Sequence, residues 1–292
     1  MPADSRIILT GASGLVGKAL TVRLEQEGYQ VVPIKWRDAA PANFDVRQLE
    51  GATAVIHLAG EKIAQRWTPS ARERILGSRK EGTIALAETL AKLEHKPRCF
   101  ISMSGLNRYG SSRHELLDEN SPVKIEGFLS EVAEAWENAT AAAESAGIRT
   151  IHLRTGMVLA ASGGALKAML PAFRLGLGGP LGPGTQRLSW IRLGDLVDLI
   201  IWVLAHESCR GPLNAVAPQV VTQAGFARAL GHALRRPAIL PLPAWLISLL
   251  FGALGRETIL ADLAASPARA LEGGFKFKTP GLAEALPLAL GE

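Results

Sequence analysis

RIILTGASGLVGKALTVRLEQEGYQVVPI, residues 6–34, reads as strand, glycine-rich turn, helix and second strand. Ile7, Ile8 and Leu9 form a short apolar run with no polar alternation, the pattern of a parallel strand buried on both faces. Leu15, Ala19, Val22 and Leu24 then recur at helical spacing, Gly28 ends that helix, and Tyr29–Ile34 forms the next strand. Between strand and helix, TGASGLVG places glycines at 11, 14 and 17. Gly11 permits the tight turn, Gly14 lets backbone approach a pyrophosphate, and Gly17 lets the helix pack close to the sheet. The helix N-terminus then offers free N–H groups to phosphate. The spacing is G-x-x-G-x-x-G, and a turn that binds nothing is the plain alternative. A glycine triad that leaves a strand, opens a helix and begins a βαβ unit favours dinucleotide binding. Gly11, Ser13, Gly14, Leu15, Val16 and Gly17 are the candidate cradle.

The second strand runs on into PIKWRD, with Lys35 and Arg37 where an NAD site usually carries an acid. Two cations suit a 2′-phosphate, and Arg37 can also stack on adenine, so the expected cofactor is NADP(H). Surface charge at a strand end is the alternative. Further strands are expected at 53–59, 98–104 and 150–159, with helices over about 72–93 and 130–146. This alternation predicts an α/β fold: a doubly wound parallel sheet of Rossmann type with a smaller C-terminal substrate lobe. Residues 1–159 plus 188–207 are assigned to the NADP-binding domain, and 160–187 plus 208–292 to the lobe.

The bulk numbers restrict function. The net charge of +5 is small and its cations are scattered, which argues against a nucleic-acid partner. Two cysteines, Cys99 and Cys209, form neither metal spacing nor a disulfide framework and fit a reducing cytoplasm. The first strand begins too early to leave room for a signal peptide. The uncharged stretch 238–255 is long enough to suggest a membrane span, but Pro241 and Pro243 leave a helix of about three turns from Ala244. That helix and the 160–188 loop are expected to wall an apolar pocket, with Trp245 and Leu249 facing it. A small-molecule substrate is the expected partner, and the oligomeric state stays open.

Several segments together resemble the extended short-chain dehydrogenase/reductases: TGASGLVG, AVIHLAG (54–60), ISMSGLNRYG (101–110) and LRTGMVL (153–159). The resemblance is closer to an atypical branch, the "epimerase family proteins", through VIHLAGEKIAQRW, ILGSRKEGT, EAWENA, GGALKAMLPAFRLGLGGPLGPGTQRLSWI, GPLNAVAP and GGFKF. It implies that Leu58, Ala59 and Gly60 run under the cofactor, and that Arg154, Thr155 and Gly156 lie beside the nicotinamide. It also implies that Ser104 is the retained catalytic serine and that Arg79 stands where other members have Asn. The family's Tyr-x-x-x-Lys pair falls on Leu129 and Ala133, and its absence is a property of the branch. The chain departs from the branch at Ala133, usually Cys, and in WIRLGDL, where Arg192 and Gly194 replace the usual His and Asp.

Leu129 has no proton to give and Ala133 holds no ribose. If a phenol serves as acid it is Tyr109, five residues after Ser104; otherwise Tyr109 packs the loop. Arg79 does not deprotonate, but it can bind a carboxylate or phosphate, or polarise a carbonyl; a surface ion pair is its alternative. Lys62 is a possible replacement for the ribose-binding lysine, and His57 and His152 read as core histidines. The expected function is therefore an NADP(H)-dependent oxidoreductase or epimerase acting on a small carbonyl, alcohol or sugar-like substrate through a non-standard acid. The alternative is a non-catalytic NADP-binding sensor or assembly partner. Positions 129, 133 and 137 are expected to share one helix face directed at the nicotinamide ribose.

Overall fold

A computed structural model describes residues 5–35, 44–110 and 112–291, with backbone alone at 112–114. Arg37 lies outside the described residues. In chain order the elements begin β1 (Arg6–Thr10), α1 (Leu15–Gln26), β2 (Gln30–Ile34), α2 (Val46–Leu49), β3 (Ala54–His57), α3 (Pro69–Lys92) and β4 (Cys99–Gly105). A 3-10 turn, Leu106–Tyr109, leads to β5 (Ser112–Leu117), α4 (Phe128–Asn138), α5 (Ala141–Ser145), β6 (Arg149–Thr155), β7 (Met157–Leu159) and α6 (Gly164–Arg174). Then come β8 (Arg187–Leu188), β9 (Trp190–Arg192), α7 (Leu193–Ala205), β10 (Gly211–Ala215), β11 (Val221–Thr222) and α8 (Gln223–Leu234). The chain ends with α9 (Ala244–Leu254), a π turn at Gly255–Ile259, β12 (Asp262–Ala265), α10 (Ala268–Glu272) and α11 (Leu282–Gly291).

Six strands form one parallel sheet in the order β10–β6–β4–β3–β1–β2. Strand alternation divides its core. Ile7, Leu9 and Ile56 face α1 and α7, and pack with Leu20, Leu196 and Ile200. Ile8, Val55 and Phe100 face α3 and α5, and pack with Leu86, Leu90 and Ala143. Each such side chain contributes about 1.5–3 kcal/mol on leaving water. The sheet is therefore covered on both sides, as the apolar strand runs predicted. Its two edge strands each carry a proline, Pro33 in β2 and Pro212 in β10.

Helix α3 starts where Thr68 accepts a hydrogen bond from Ala71 N at 3.2 Å, with Pro69 in the first turn. The helix expected over 130–146 is two helices. Thr140 Oγ1 donates to the Glu137 carbonyl at 2.8 Å and reaches His152 Nε2, breaking the run between them. The strand expected over 150–159 also divides, at Gly156. There the chain leaves β4 and β10, and Met157 N donates to Ser189 O. A Cβ at 156 would lie 2.6 Å from that same carbonyl.

A third core, containing Leu159, Leu166, Phe173, Trp190, Phe226, Leu282 and Leu286, gathers residues from the C-terminal region. β10, expected in the small lobe, instead pairs with β6 and closes one edge of the main sheet. Helix α9 begins at Ala244 as expected, and among the described residues no helix is long and apolar enough to cross a membrane. Its approach joins the 178–182 loop, with Leu242 N donating to Pro180 O and Gly182 N to Leu242 O. Trp245 and Leu249, however, are 68% and 73% exposed. They face solvent: α9 buries only Ile247, against Gly255 of the next turn.

Candidate active site

The phosphate loop is built as its glycines required. Gly11 has φ +75°, and a Cβ there would lie 2.7–2.9 Å from the backbone of Leu58 and Ala59. A Cβ on Gly17 would lie 2.2 Å from Gly11 O. Gly14 is exposed and meets only Gly11 O at 3.2 Å, so its outer face is open to a phosphate. Ser13, Gly14 and Leu15 open onto a groove of about 760 Å³ that also holds Lys18, Lys62 and Arg192. Arg23 and Lys278 also line it, both on Asp198, and free N–H groups at the start of α1 with this excess of cations fit a dinucleotide diphosphate. Val16 turns inward against the core, and Leu15 packs on the 163–164 turn. Lys35 stands exposed at the end of β2. Lys62 is exposed on the groove, next to Ile63, which packs against Phe128, Leu129 and Val132 of α4.

Beneath the loop, Thr10 Oγ1 lies 2.7 Å from His57 Nδ1, and His57 Nε2 lies 3.0 Å from Thr83 Oγ1 on α3. Ala59 N donates to the same Thr10 hydroxyl at 3.4 Å. Burial, assisted by the nearby Arg79 charge, lowers the His57 pKa to about 4, so the ring is neutral. His152 is likewise occupied, between Thr140 and Glu144. Both histidines are satisfied core groups.

At the C-terminal ends of β4 and β6 the structure assembles a network that the sequence reading did not name. Ser104 Oγ donates to Glu137 Oε1 at 2.8 Å. Arg154 Nε and Nη2 donate to the two oxygens of the same carboxylate, each at 2.8 Å. Arg108 adds an ion-pair contact at 3.5 Å, without hydrogen-bond geometry, and a second to Glu134 at 3.2 Å. Burial alone would raise the Glu137 pKa. Arg154, His152 and the Ser104 hydroxyl outweigh it and hold the carboxyl below the ordinary range, so Glu137 is ionised. Arg154, expected at the cofactor, is instead committed to Glu137 and lies over the Tyr109 ring at 4.7 Å. Its partners raise its pKa above that of an ordinary guanidinium. Thr155 turns its hydroxyl to Met103 Sδ and Leu153 O.

Tyr109 is fully buried, its hydroxyl donating to Asn214 Oδ1 at 2.9 Å. Asn214 is itself held by Glu119 through its backbone N–H. Burial pushes the phenol pKa up. Tyr109 is thus a packing group of the turn after β4, not an acid presented to a substrate. Leu129 packs with Ile75, Phe128 and Val132, and Ala133 is buried beside them on α4. The face they share does reach the site, but through Glu137, one turn further on. Sequence held two signals for it: the 129, 133 and 137 line on one helix face, and EAWENA, which places Glu134 and Glu137 three apart, with Trp136 between them.

Arg79 is buried, at 6% exposure. Its Nη1 donates to the carbonyls of Glu61 and Ile75 at 3.0 and 3.2 Å. Its guanidinium lies 4.8 Å from the Trp136 ring and close against Gly60. It is not a surface ion pair.

Comparison with known proteins agrees with this geometry. The model of the NAD dependent epimerase/dehydratase family matches residues 7–215, and a domain of unknown function, DUF1731, matches 242–287. The human epimerase family protein SDR39U1 is 35% identical over 289 residues, covering 96% of this chain and 98% of that protein. An epimerase family protein of Mycobacterium leprae is 35% identical over 97% of this chain and 95% of its own length. The crystal structure of human SDR39U1 with NADPH superposes with a TM-score of 0.89 at 33% identity, covering 98% of this chain and 99% of that one. With a matching phosphate loop, a retained serine at the end of β4 and neither Tyr nor Lys on α4, the chain belongs to the NAD dependent epimerase/dehydratase family, as an atypical short-chain dehydrogenase/reductase of the epimerase family protein branch.

Proposed function

We propose that this protein is an NADP(H)-dependent oxidoreductase or epimerase acting on a small molecule that carries a hydroxyl or carbonyl, such as a sugar-like alcohol. We assign the proton-handling role to Ser104 and Glu137. The observation that carries this reading is the Ser104–Glu137–Arg154 linkage at the strand ends beside the phosphate loop. Gly11, Ser13, Gly14 and Gly17 would hold the diphosphate, with Lys35 near the 2′-phosphate. NADPH in the related human structure supports that choice over NADH. A bound nicotinamide supplies or accepts the hydride.

The chain's own groups handle the proton. An ionised Glu137 fixes Ser104 as its donor, so Ser104 Oγ turns only lone pairs toward a substrate. It can accept a hydrogen bond from a substrate hydroxyl. As that hydroxyl loses its proton to Ser104 Oγ, the serine proton passes to Glu137 Oε1, and Arg154 holds the carboxylate in place. Carbonyl reduction requires Glu137 to be protonated first, which its strong pairing with Arg154 opposes at neutral pH. The same pairing weakens Glu137 as a proton acceptor in oxidation, so generic aldehydes, quinones and simple alcohols are all expected to be poor substrates.

One observation favours a non-catalytic, cofactor-binding role: the only phenol near the site, Tyr109, is sealed in the core. Screening oxidation of hydroxyl compounds with NADP+, in wild type and Ser104→Ala, decides between the two. Activity lost about 10²-fold or more in Ser104→Ala, with NADPH affinity unchanged, supports the relay. Turnover indifferent to Ser104 sinks it.

A further inference from the structure

Arg79 is a buried cation without a buried anion among the described residues. Its guanidinium lies 4.8 Å from the Trp136 ring and against Gly60: a Cβ at Gly60 would lie 2.9 Å from Cζ, 3.0 Å from Nη2 and 3.2 Å from Nη1. Nη1 is satisfied by two carbonyls, which are dipoles and not charges. Nε is enclosed and has no hydrogen-bond partner among the described residues. Nη2 makes no hydrogen bond there either and is not enclosed, so the small exposure of the residue is at that end. Among the described residues no carboxylate pairs with Arg79. Glu61, whose charge partly supports it, turns its side chain to Gln65 and lies 3.9 Å from Arg74.

A guanidinium taken from water without a counter-charge is costly, and a protein retains one where a ligand supplies the missing anion. The cost is visible next door and in Arg79 itself. Burial lowers the Arg79 pKa to about 10, and the same charge helps keep His57 neutral. Position defines what it faces. Gly60 ends the segment that follows β3, adjoining the phosphate loop through Leu58 and Ala59. Trp136 precedes Glu137, which holds Ser104. Arg79 thus lies between the cofactor loop and the proton-handling pair.

We infer that Arg79 is a receptor for an anionic oxygen, a carboxylate or phosphate group, on the small molecule bound at this end of the sheet. Nη2 makes the contact, and Gly60 is glycine because a side chain would displace the guanidinium. The substrate would then be an acid or a phosphate ester carrying a hydroxyl, which narrows the substrate class proposed above and rests on that reading. The alternative source of the anion is the cofactor's own phosphates.

The test measures binding, not turnover, on the full chain as wild type, Arg79→Gln and Arg79→Lys. NADPH affinity is titrated by fluorescence, and malonate and inorganic phosphate are titrated by calorimetry with and without saturating NADPH. The expected result is malonate binding to NADPH-loaded wild type that weakens tenfold or more in Arg79→Gln, with NADPH affinity within twofold of wild type. If NADPH affinity itself falls tenfold and malonate does not bind, the anion on Arg79 belongs to the cofactor and the substrate assignment is overturned. Arg79→Lys keeps the charge without the planar fork and is expected to lose threefold or more, so it serves if the glutamine variant does not fold. Anion and NADPH affinities within twofold of wild type in either folded variant overturn the inference. Wild type that binds malonate through Arg79 but not NADPH would refute the cofactor reading and leave this one intact.

Discussion

Glu137→Gln separates the two duties that the structure gives this side chain. The carboxylate receives Ser104 Oγ and two Arg154 nitrogens, all at 2.8 Å, and stands 3.5 Å from Arg108. An amide keeps the shape but removes the charge, and its NH2 must face either a guanidinium or the serine hydroxyl. Arg154 is left buried with no other carboxylate partner among the described residues, while Arg108 retains Glu134. Breaking a buried pair from one side costs about 3–5 kcal/mol. Against a typical total of about 5–15 kcal/mol, that lowers the folded-to-unfolded ratio by roughly 10²–10⁴. The melting temperature falls by about 5–15 °C. The difference must also depend on pH in one direction. Because the folded-state pKa of Glu137 lies below its unfolded value, its stabilisation is complete above the ordinary carboxylate range and is lost as pH falls through the folded value. Urea unfolding of wild type and variant at pH 7.5 and at acid pH should therefore show a gap that narrows on acidification. Fluorescence titration should show NADPH still binding, since the phosphate loop lies on β1 and α1. A gap below about 1 kcal/mol at pH 7.5, or one that widens in acid, would refute the charge assignment.

His57 is neutral in the fold with a pKa lowered from 6.5 to about 4, so its contribution is complete above pH 6.5 and is lost as pH falls toward 4. At 1.36 kcal/mol per pKa unit the loss is about 3 kcal/mol, and His57→Gln should flatten that slope in urea titrations; equal slopes would count against it. In Gly17→Ala the Cβ would sit 2.2 Å from Gly11 O, so NADPH affinity should fall at least tenfold by fluorescence titration even where the chain stays folded. Arg192 and Gly194 are coupled, because a Cβ at 194 would lie 2.5–2.9 Å from the Arg192 guanidinium, held by Thr279 and Asp195. Gly194→Asp alone should cost about 1–3 kcal/mol, and adding Arg192→His should recover part of it; additive losses in denaturant melts would disprove the coupling.

The first thirty residues disclosed the fold because each local signal there agrees with the next: a two-sided apolar strand, glycines where backbone meets backbone, and a helix of regular period. Ser104 and Arg79 were legible as positions, since the segments holding them resemble known motifs. Their partners were not. Glu137 is 33 residues from Ser104, and only the packing of α4 over β4 brings the two together. Arg154 sits beside the nicotinamide segment by sequence, yet its side chain turns to the nearest buried carboxylate. Tyr109 could be read either as an acid or as a group packing the loop, because its sequence position five residues after Ser104 suits both. Asn214, 105 residues on, accepts its hydroxyl and lets the ring stay inside. The split at Gly156 was equally hidden, because only β9 and β10 reveal that the chain changes partners there.

The prolines in β2 and β10 bear on how copies of this chain can meet. Each outermost strand of the main sheet is missing a backbone donor at Pro33 or Pro212. A neighbouring strand laid along either border would find the ladder interrupted midway, the common defence against end-to-end growth of sheets. Self-association by β-augmentation is therefore disfavoured at both borders, and a homodimer would more readily be built from helical faces than from a twelve-stranded continuation of the sheet. The same interruption guards the chain while it folds, when a parallel sheet of long-range pairings leaves its borders bare longest.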